Sequence, residues 1–144
     1  MNLTSSWLVF ALGAAFFAAL TSIFGKLGVA DLNSNLATFI RTVVIVVMIG
    51  AIVSWRGEWQ MPGAVPTTTW LFLVLSGAAT GLSWLCFYRA LQLGPVSQVA
   101  PIDKLSVVLV ALFGVIFLGE KLSGANWLGV TLIAAGAVLV AYRA

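Results

Sequence analysis

The stretch L-A-T-F-I-R-T-V-V-I-V-V-M-I-G-A-I-V-S-W at residues 36–55 decides the fold class of this chain. It contains 20 residues, and Arg41 is its single charged side chain. A helix that crosses a bilayer needs about 20 mostly apolar residues. The stretch therefore predicts a transmembrane helix, and the polar run at residues 31–35 supplies the cap at which this helix begins.

The composition of the whole chain extends this conclusion to the other segments. The chain has 144 residues, of which 62% are hydrophobic and 8% are charged, whereas a soluble domain carries about 25% charged residues. So few ionisable side chains cannot cover the surface of a soluble particle. The chain is therefore expected to be an integral membrane protein. Its basic side chains are scattered among apolar segments and form no basic stripe, which excludes a nucleic-acid partner.

The residue types that are missing exclude several kinds of chemistry. The sequence has no His and a single Cys, Cys86. A structural zinc site, a Ser-His dyad and a disulfide within the chain are therefore excluded. No nucleotide-binding motif is present either. We accordingly expect no enzyme activity, no metal and no cofactor, and we expect Cys86, which lies in an apolar run, to be a small buried thiol.

Turn and cap signals divide the chain into five apolar segments. The third and fourth are separated by Gly94-Pro95, and Pro95 is suited to the start of a helix. Short loops leave no room for a domain outside the membrane, so any function must lie within the helix bundle. The chain is thus expected to form one all-α transmembrane domain over residues 1–144, with helices at residues 7–29, 36–55, 68–93, 96–118 and 123–142.

Lys104 is the first candidate for a functional residue inside the bundle. A charged side chain at membrane depth costs about 2.5–3.5 kcal/mol unless it is paired or hydrated. Lys104 shares a helix face with Ser97, and the intervening Pro101 lacks an N–H group and frees a backbone carbonyl. Asp103 is expected to point about 100° away, so the two neighbours should not form a helical ion pair. Alternatively, Lys104 extends toward the membrane surface or pairs with a carboxylate on another helix.

Arg41 is the second candidate, because it lies about two turns inside its helix beside Thr38 and Thr42. A guanidinium there could hold a carboxylate or phosphate through two parallel hydrogen bonds. Pairing with Asp103 is an equally open structural alternative.

Two aromatic residues of the third helix, Trp84 and Tyr88, are candidates for the wall of a pocket. They continue a stripe that begins at Thr80, with a spacing of four residues that places all three on one face. A packed helix contact with an interfacial tyrosine is the simpler explanation of the stripe. Lys26 suits the dipole at the end of the first helix, and Glu120 is expected to be a structural contact rather than a proton carrier.

Three motifs in the second half of the chain resemble one known family. They are A-L-Q-L-G-P-V-S-Q-V-A-P at residues 90–101, F-L-G-E-K-L at residues 117–122 and W-L-G at residues 127–129. Together they are similar to the EamA domain of the drug/metabolite transporter superfamily. The resemblance implies a five-helix unit that forms one half of a 5+5 inverted-repeat transporter in a bacterial-type inner membrane, with a small-molecule substrate bound between two inverted units.

A single five-helix unit implies a partner, because inverted repeats exchange conformations around a central site. We expect a homodimer, antiparallel in the membrane. Gly129 and Gly136, with Ala125 before them, place small residues on one face of the fifth helix, where backbones can approach closely. The glycine pair is similar to the dimerisation stripe of the small multidrug resistance family, and packing within the chain is the open alternative.

The loop charges show no bias that would fix the orientation in the membrane. With Arg41 and Lys104 counted as buried, each face receives three positive charges: Arg56, Lys121 and the N-terminal amine on one, and Lys26, Arg89 and Arg143 on the other. Positive charges normally stay in the cytoplasm. An equal count predicts insertion in both orientations, which suits an antiparallel homodimer.

The combined features predict a secondary transporter, an exporter or exchanger of small metabolites that works by alternating access. The first helix has no acidic residue, unlike the small multidrug resistance pumps, so proton-coupled export of cations is disfavoured. Basic residues instead predict anionic or zwitterionic substrates such as amino acids or organic acids, with Lys104, Arg41, Asp103 and Ser97 as contacts. A non-transporting membrane subunit and a lipid-headgroup flippase are the alternative functions.

Overall fold

The computed structural model describes residues 6–61, 63 and 65–142, and all the regular structure in these residues is helical. No strand is present among them, so the predicted all-α fold is confirmed. The helices are α1 (Ser6–Gly28), α2 (Ser34–Arg56), α3 (Thr67–Leu93), α4 (Val96–Asp103), α5 (Ser106–Leu118) and α6 (Gly124–Ala141). Arg143, the N-terminal amine and Pro62 lie outside the described residues.

The described helices provide five segments that are long and apolar enough to cross a membrane. They are Trp7–Gly28, Ser34–Arg56, Thr67–Leu93, Val96–Leu118 and Gly124–Ala141. The fourth segment therefore consists of two helices, α4 and α5. Five spans confirm the predicted multi-pass membrane architecture.

The ends of α2 show how local sequence sets the helix boundaries. Asn33 is the N-cap, and its side-chain oxygen accepts a hydrogen bond of 2.9 Å from the amide of Asn35. At the other end, Gly57 has a φ of 66°, in the left-handed region that a glycine adopts without strain. The two residues confine α2 to one membrane-spanning length.

Residues 25–92 form one compact unit, whose buried side chains gather at one end. They lie where α1 ends, α2 begins and α3 ends. Leu91 and Val29 are 0% and 1% exposed, and Tyr88, Ala37 and Thr38 are also buried. Most large apolar side chains elsewhere in the unit are exposed, as expected for surfaces that contact lipid.

Cys86 is one of these exposed residues, so the prediction that its thiol is buried is wrong. An apolar run predicts a buried side chain in a soluble protein. In a membrane helix the same run faces lipid. Exposure of Cys86 is therefore consistent with the membrane environment of α3.

The second unit comprises residues 1–24 and 93–144, within the limits of the described residues. In it, α6 packs against α4 and α5. The helix α5 ends at Gly119, whose φ is 68°, and the amide of Glu120 donates to the carbonyl of Gly114 at 3.1 Å. This bond satisfies a carbonyl at the helix end. The hydroxyl of Ser123 then caps α6 by accepting from the amide of Asn126 at 3.2 Å.

The fourth span, predicted over residues 96–118 with a local break at Pro101, is interrupted at Lys104. The amide of Lys104 donates to the carbonyl of Pro101 at 3.1 Å, and the amide of Leu105 donates to the carbonyl of Ile102 at 3.0 Å. These bonds span three residues rather than four, as in a 3₁₀ turn. Pro101 lies just before this turn; its ring and its missing N–H group remove the helical bond to the carbonyl of Ser97 and so weaken the helix that leads into the break.

Candidate anion-binding site

The structure brings together three of the predicted site residues within the unit of residues 25–92. Arg41 lies on α2, about 10 Å along the helix from its first residue. Its guanidinium carbon is 4.0 Å from the centroid of the Trp84 ring and 5.5 Å from that of the Tyr88 ring. Arg41 therefore lies over the aromatic stripe of α3.

Tyr88, part of the aromatic surface under Arg41, is held in place by its contacts with α1. Tyr88 is 5% exposed. Its hydroxyl oxygen lies 3.4 Å from the position that a Cβ atom on Gly25 would occupy. A Cβ atom on Gly25 would make ordinary van der Waals contacts with Tyr88 and Leu91, so the last turn of α1 packs against both side chains. Tyr88 is thus packed within the unit while it also lies beside the cation of Arg41.

The guanidinium of Arg41 has donors available for a ligand. Among the residues that the structure describes, it has no hydrogen-bond acceptor and no carboxylate partner. The rings stabilise its charge by about 0.5–2 kcal/mol, but they do not use its N–H groups in directed bonds. The neighbouring hydroxyl of Thr42 donates to the carbonyl of Thr38 at 2.8 Å, so it is occupied within the helix. A half-buried arginine in this state can bind a carboxylate or phosphate.

Near the ends of α1 and α3, the side chains of Lys26 and Gln92 each donate hydrogen bonds to backbone carbonyls of the other segment. The ammonium of Lys26, near the end of α1, donates to the carbonyl of Leu91 in the last turn of α3. The amide nitrogen of Gln92, also in that turn, donates to the carbonyls of Leu32 and Val29 at 2.7 and 3.3 Å. Lys26 thus interacts with the carbonyl end of a neighbouring helix, in addition to the predicted position at the end of its own.

Sequence reasoning missed Gln92 as a residue that supports the site. Gln92 was part of the motif at residues 90–101, but its role depends on carbonyls 60 and 63 residues earlier. Its polar side chain in the last turn of an apolar helix is the one local signal that could have drawn attention to it. The guanidinium of Arg89 also donates to the side-chain oxygen of Gln92 at 3.0 Å, which fixes the orientation of the amide.

The other three predicted substrate contacts lie in the second unit, at the break in the fourth span. The ammonium of Lys104 is 3.1 Å from the carboxylate of Asp103, so the two neighbours pair, although the sequence predicted that they would not form a helical ion pair. That prediction assumed a regular helix, whereas α4 ends at Asp103 and Lys104 occupies the turn. The pair is open, with side-chain exposures of 56% for Lys104 and 35% for Asp103. Ser97 is exposed on α4.

The residues predicted for dimerisation lie on an uncovered part of α6. No heavy atom in the described structure lies within 4 Å of a Cβ built on Gly129 or Gly136, apart from their own helix and chain neighbours. Ala125 is exposed. A second helix therefore has room to approach this face, and its use for dimerisation stays a prediction.

Glu120 makes a structural contact in the second unit. One of its carboxylate oxygens is 2.6 Å from the position that a Cβ on Gly114 would occupy. A side chain at position 114 would displace this carboxylate. Gly114 thus accommodates Glu120 where the chain turns away from α5.

Comparisons with known proteins agree with this architecture. The model of the EamA-like transporter family matches residues 5–142. An "uncharacterized transporter in cobO 3′ region" from Sinorhizobium sp. is 60% identical over 139 residues, which are 96% of this chain and 99% of the relative. No solved structure matches.

More distant relatives are named flippase subunits. A "probable 4-amino-4-deoxy-L-arabinose-phosphoundecaprenol flippase subunit ArnE" from Aeromonas hydrophila is 35% identical over 94 residues, 62% of this chain and 77% of the relative. The protein of the same name from Yersinia pestis is 34% identical over 86 residues, 59% of this chain and 75% of the relative.

Proposed function

Because this chain belongs to the EamA-like transporter family, we propose that it moves small metabolites with an anionic group across the membrane. It is a multi-pass transporter of the inner membrane. We further propose a substrate class, a residue that binds the substrate and an assembly of two chains. In this proposal the chain is a transporter rather than an enzyme, and residues 1–144 form one transport domain.

The position of Arg41 over Trp84, at 4.0 Å, is the observation that carries the proposal. A bilayer disfavours a cation at this depth by about 2.5–3.5 kcal/mol. The aromatic rings offset part of this cost, and they leave the hydrogen-bonding edge of the guanidinium open. The N–H groups on this open edge can therefore donate hydrogen bonds to an anion in each transport cycle.

The substrate class follows from the geometry of the guanidinium. Two parallel N–H groups match the two oxygens of a carboxylate or phosphate. Amino acids, organic acids and phosphorylated metabolites all present such a group. Trp84 and Tyr88 form the wall against which the rest of the substrate lies.

Lys104, Asp103 and Ser97 are proposed as a second polar cluster that the substrate contacts during transport. Breaks in membrane helices free backbone carbonyls and are found at the sites of secondary transporters. The ion pair keeps the cluster neutral when no substrate is present. An arriving carboxylate can replace Asp103 at the ammonium of Lys104.

We propose that the working form is an antiparallel homodimer that operates by alternating access. Equal numbers of loop cations on the two faces support insertion in both orientations. The small residues Ala125, Gly129 and Gly136 provide a face for close helix contact. The two inverted copies then supply the symmetry on which alternating access depends.

A flippase is the second candidate function, favoured by the relatives named as flippase subunits. A lipid-linked phosphate presents to Arg41 the same oxygens as a soluble phosphorylated metabolite. The word subunit in those names also supports an accessory role with a partner chain. The candidates differ in what the purified protein does by itself.

Reconstitution in liposomes tests the proposal. We expect the purified full-length chain to exchange at least one radiolabelled amino acid, organic acid or sugar phosphate, and we expect Arg41→Gln to reduce exchange at least tenfold. Arg56→Lys is the control, because Arg56 is an exposed residue paired with Glu58 at 2.6 Å and the substitution keeps the balance of loop charges. Movement of a fluorescent polyprenyl phosphate without solute exchange would support the flippase, and neither activity would overturn both.

A further inference from the structure

We infer that Gln92 is a positioning residue of the anion site, which sets the register of α3 against α2 so that Trp84 lies beneath Arg41. The inference rests on the proposed function, because it explains how the site of that function is assembled. Gln92 does not contact Arg41 itself. It acts through the two helices that carry Arg41 and its aromatic surface.

The hydrogen bonds of Gln92 hold the start of α2 against the end of α3. Its amide nitrogen donates to the carbonyl of Leu32 at 2.7 Å, one residue before the N-cap Asn33. Its amide oxygen accepts from Arg89 at 3.0 Å. Both ends of the amide are therefore engaged, and the side chain cannot rotate without breaking a bond.

The distances along the two helices agree with this anchor. Arg41 lies seven residues after Ser34, or about 10 Å along α2. Trp84 lies eight residues before Gln92, or about 12 Å along α3. Leu32 lies two residues before Ser34, so an anchor between Leu32 and Gln92 places Arg41 and Trp84 within about one turn of the same height, and the observed contact has them opposite each other. A slip of one turn, about 5.4 Å, would place Tyr88 or Thr80 opposite Arg41 instead.

The last turn of α1 strengthens the anchor. Lys26 donates to the carbonyl of Leu91, and Gln92 donates to the carbonyl of Val29 at 3.3 Å. Leu91 and Val29 are both fully buried beside these bonds. Breaking the bonds of Gln92 would leave carbonyls without a partner at a tightly packed contact, which disfavours a slip.

Loss of Gln92 should weaken anion binding, although the residues that contact the anion stay the same. A guanidinium that is held in place loses less conformational freedom when the anion binds than one that is not. Without the anchor, Arg41 would sample positions over Trp84 and away from it. We therefore expect anion affinity to fall about tenfold, which is within the range of a lost cation–π contact in a desolvated site.

Fluorine NMR of the full-length protein labelled with 5-fluorotryptophan tests the inference. The chain has six tryptophans, and Trp84→Phe assigns the signal of Trp84. Arg41→Gln should move this signal, because a charge leaves the ring face. Gln92→Leu should move it in the same direction, and Gln98→Leu, a glutamine of α4, should leave it in place. The other five signals report whether a variant has simply unfolded.

Gln92→Glu is the second variant, in case Gln92→Leu does not fold. It keeps the size of the side chain and an acceptor for Arg89, but it has no N–H group for Leu32. Movement of the Trp84 signal in both Gln92 variants, with about tenfold weaker binding of acetate or inorganic phosphate, supports the inference. A Trp84 signal that stays at its wild-type position in a folded Gln92 variant, while Arg41→Gln moves it, overturns the inference and leaves the anion proposal intact.

Titration of the wild-type protein separates the inference from the proposed function. If acetate and inorganic phosphate leave the Trp84 signal unchanged while the Gln92 variants move it, the register role of Gln92 is supported and anion binding at Arg41 fails. If Arg41→Gln itself leaves the signal unchanged, the contact between Arg41 and Trp84 is absent, and both proposals are overturned.

Discussion

The ammonium of Lys104 lies 3.1 Å from the carboxylate of Asp103, across the turn that separates α4 from α5. In a regular helix these neighbours would point about 100° apart. The break in the fourth span therefore creates the ion pair. The pair in turn lowers the cost of a charged lysine within a membrane segment, so each feature supports the other.

Asp103→Asn should destabilise the protein, because it leaves the charge of Lys104 without its partner. We expect a loss of roughly 1–2 kcal/mol, below the full cost of an unpaired cation because the pair is partly open. The double variant Asp103→Asn/Lys104→Gln removes both charges and should recover most of the loss. Thermal unfolding in detergent measures both, and equal destabilisation of the two variants would contradict a role for the pair.

Pro101→Ala tests whether the proline causes the break in the fourth span, because alanine restores the N–H group that bonds to the carbonyl of Ser97 and removes the ring. We expect the amides of residues 104–108 to exchange with deuterium about tenfold more slowly, since they gain regular helical bonds. Pro95→Ala is the control, because Pro95 precedes α4 and does not interrupt it. Unchanged exchange at residues 104–108 would show that Pro101 is not the cause of the break.

Arg41→Lys should weaken anion binding even though it preserves the charge. An ammonium cannot form the two parallel bonds of a guanidinium, and it is a more strongly hydrated point charge. We expect about tenfold weaker binding of the transported anion, measured as KM for exchange in liposomes. Arg56→Lys is the matched control. Equal KM values for Arg41→Lys and the wild type would indicate that only the charge of Arg41 matters.

The membrane fold could be predicted from the sequence because it depends on local properties. Span length and apolar composition are read directly from segments such as residues 36–55, and turn residues such as Gly57 separate the segments. The sequence placed a local break at Pro101, but it could not show that the turn there would bring Asp103 and Lys104 together. Proline is frequent in membrane helices, so its presence alone does not determine whether the helix continues or is interrupted.

The assembly of the site could be predicted only in part, because it depends on helix register. The spacing of Trp84 and Tyr88 identified their shared face, and the position of Arg41 identified a cation at membrane depth. Which residue of α3 faces Arg41 depends on the bonds of Gln92 to backbone carbonyls about 60 residues earlier. Backbone carbonyls are present at every residue, so the sequence carries no pattern that singles out these partners.

Alanine substitution should have different effects on stability at Gly57, which caps α2, and at Gly50, which lies within α2. Gly57 has a φ of 66°, so Gly57→Ala places a Cβ in the left-handed region and should destabilise the protein by about 1 kcal/mol. Gly50 is within the helix, and no atom lies within 4 Å of its added Cβ. Gly50→Ala should therefore be neutral or stabilising by up to about 1 kcal/mol. Chemical unfolding in detergent compares them, and a destabilising Gly50→Ala would reveal a helix contact at that face.

Insertion in both orientations should be visible by labelling single cysteines in intact cells. The native thiol is first removed by Cys86→Ser, since Cys86 is exposed on α3. A cysteine added at either terminus should then react partly with a membrane-impermeant maleimide, because the equal loop charges do not favour one orientation. Adding two lysines to the loop at residues 57–66 should shift the labelled fraction toward one orientation. If every copy has the same orientation before that change, the antiparallel homodimer fails, whereas the anion site at Arg41, which lies within one protomer, does not depend on this result.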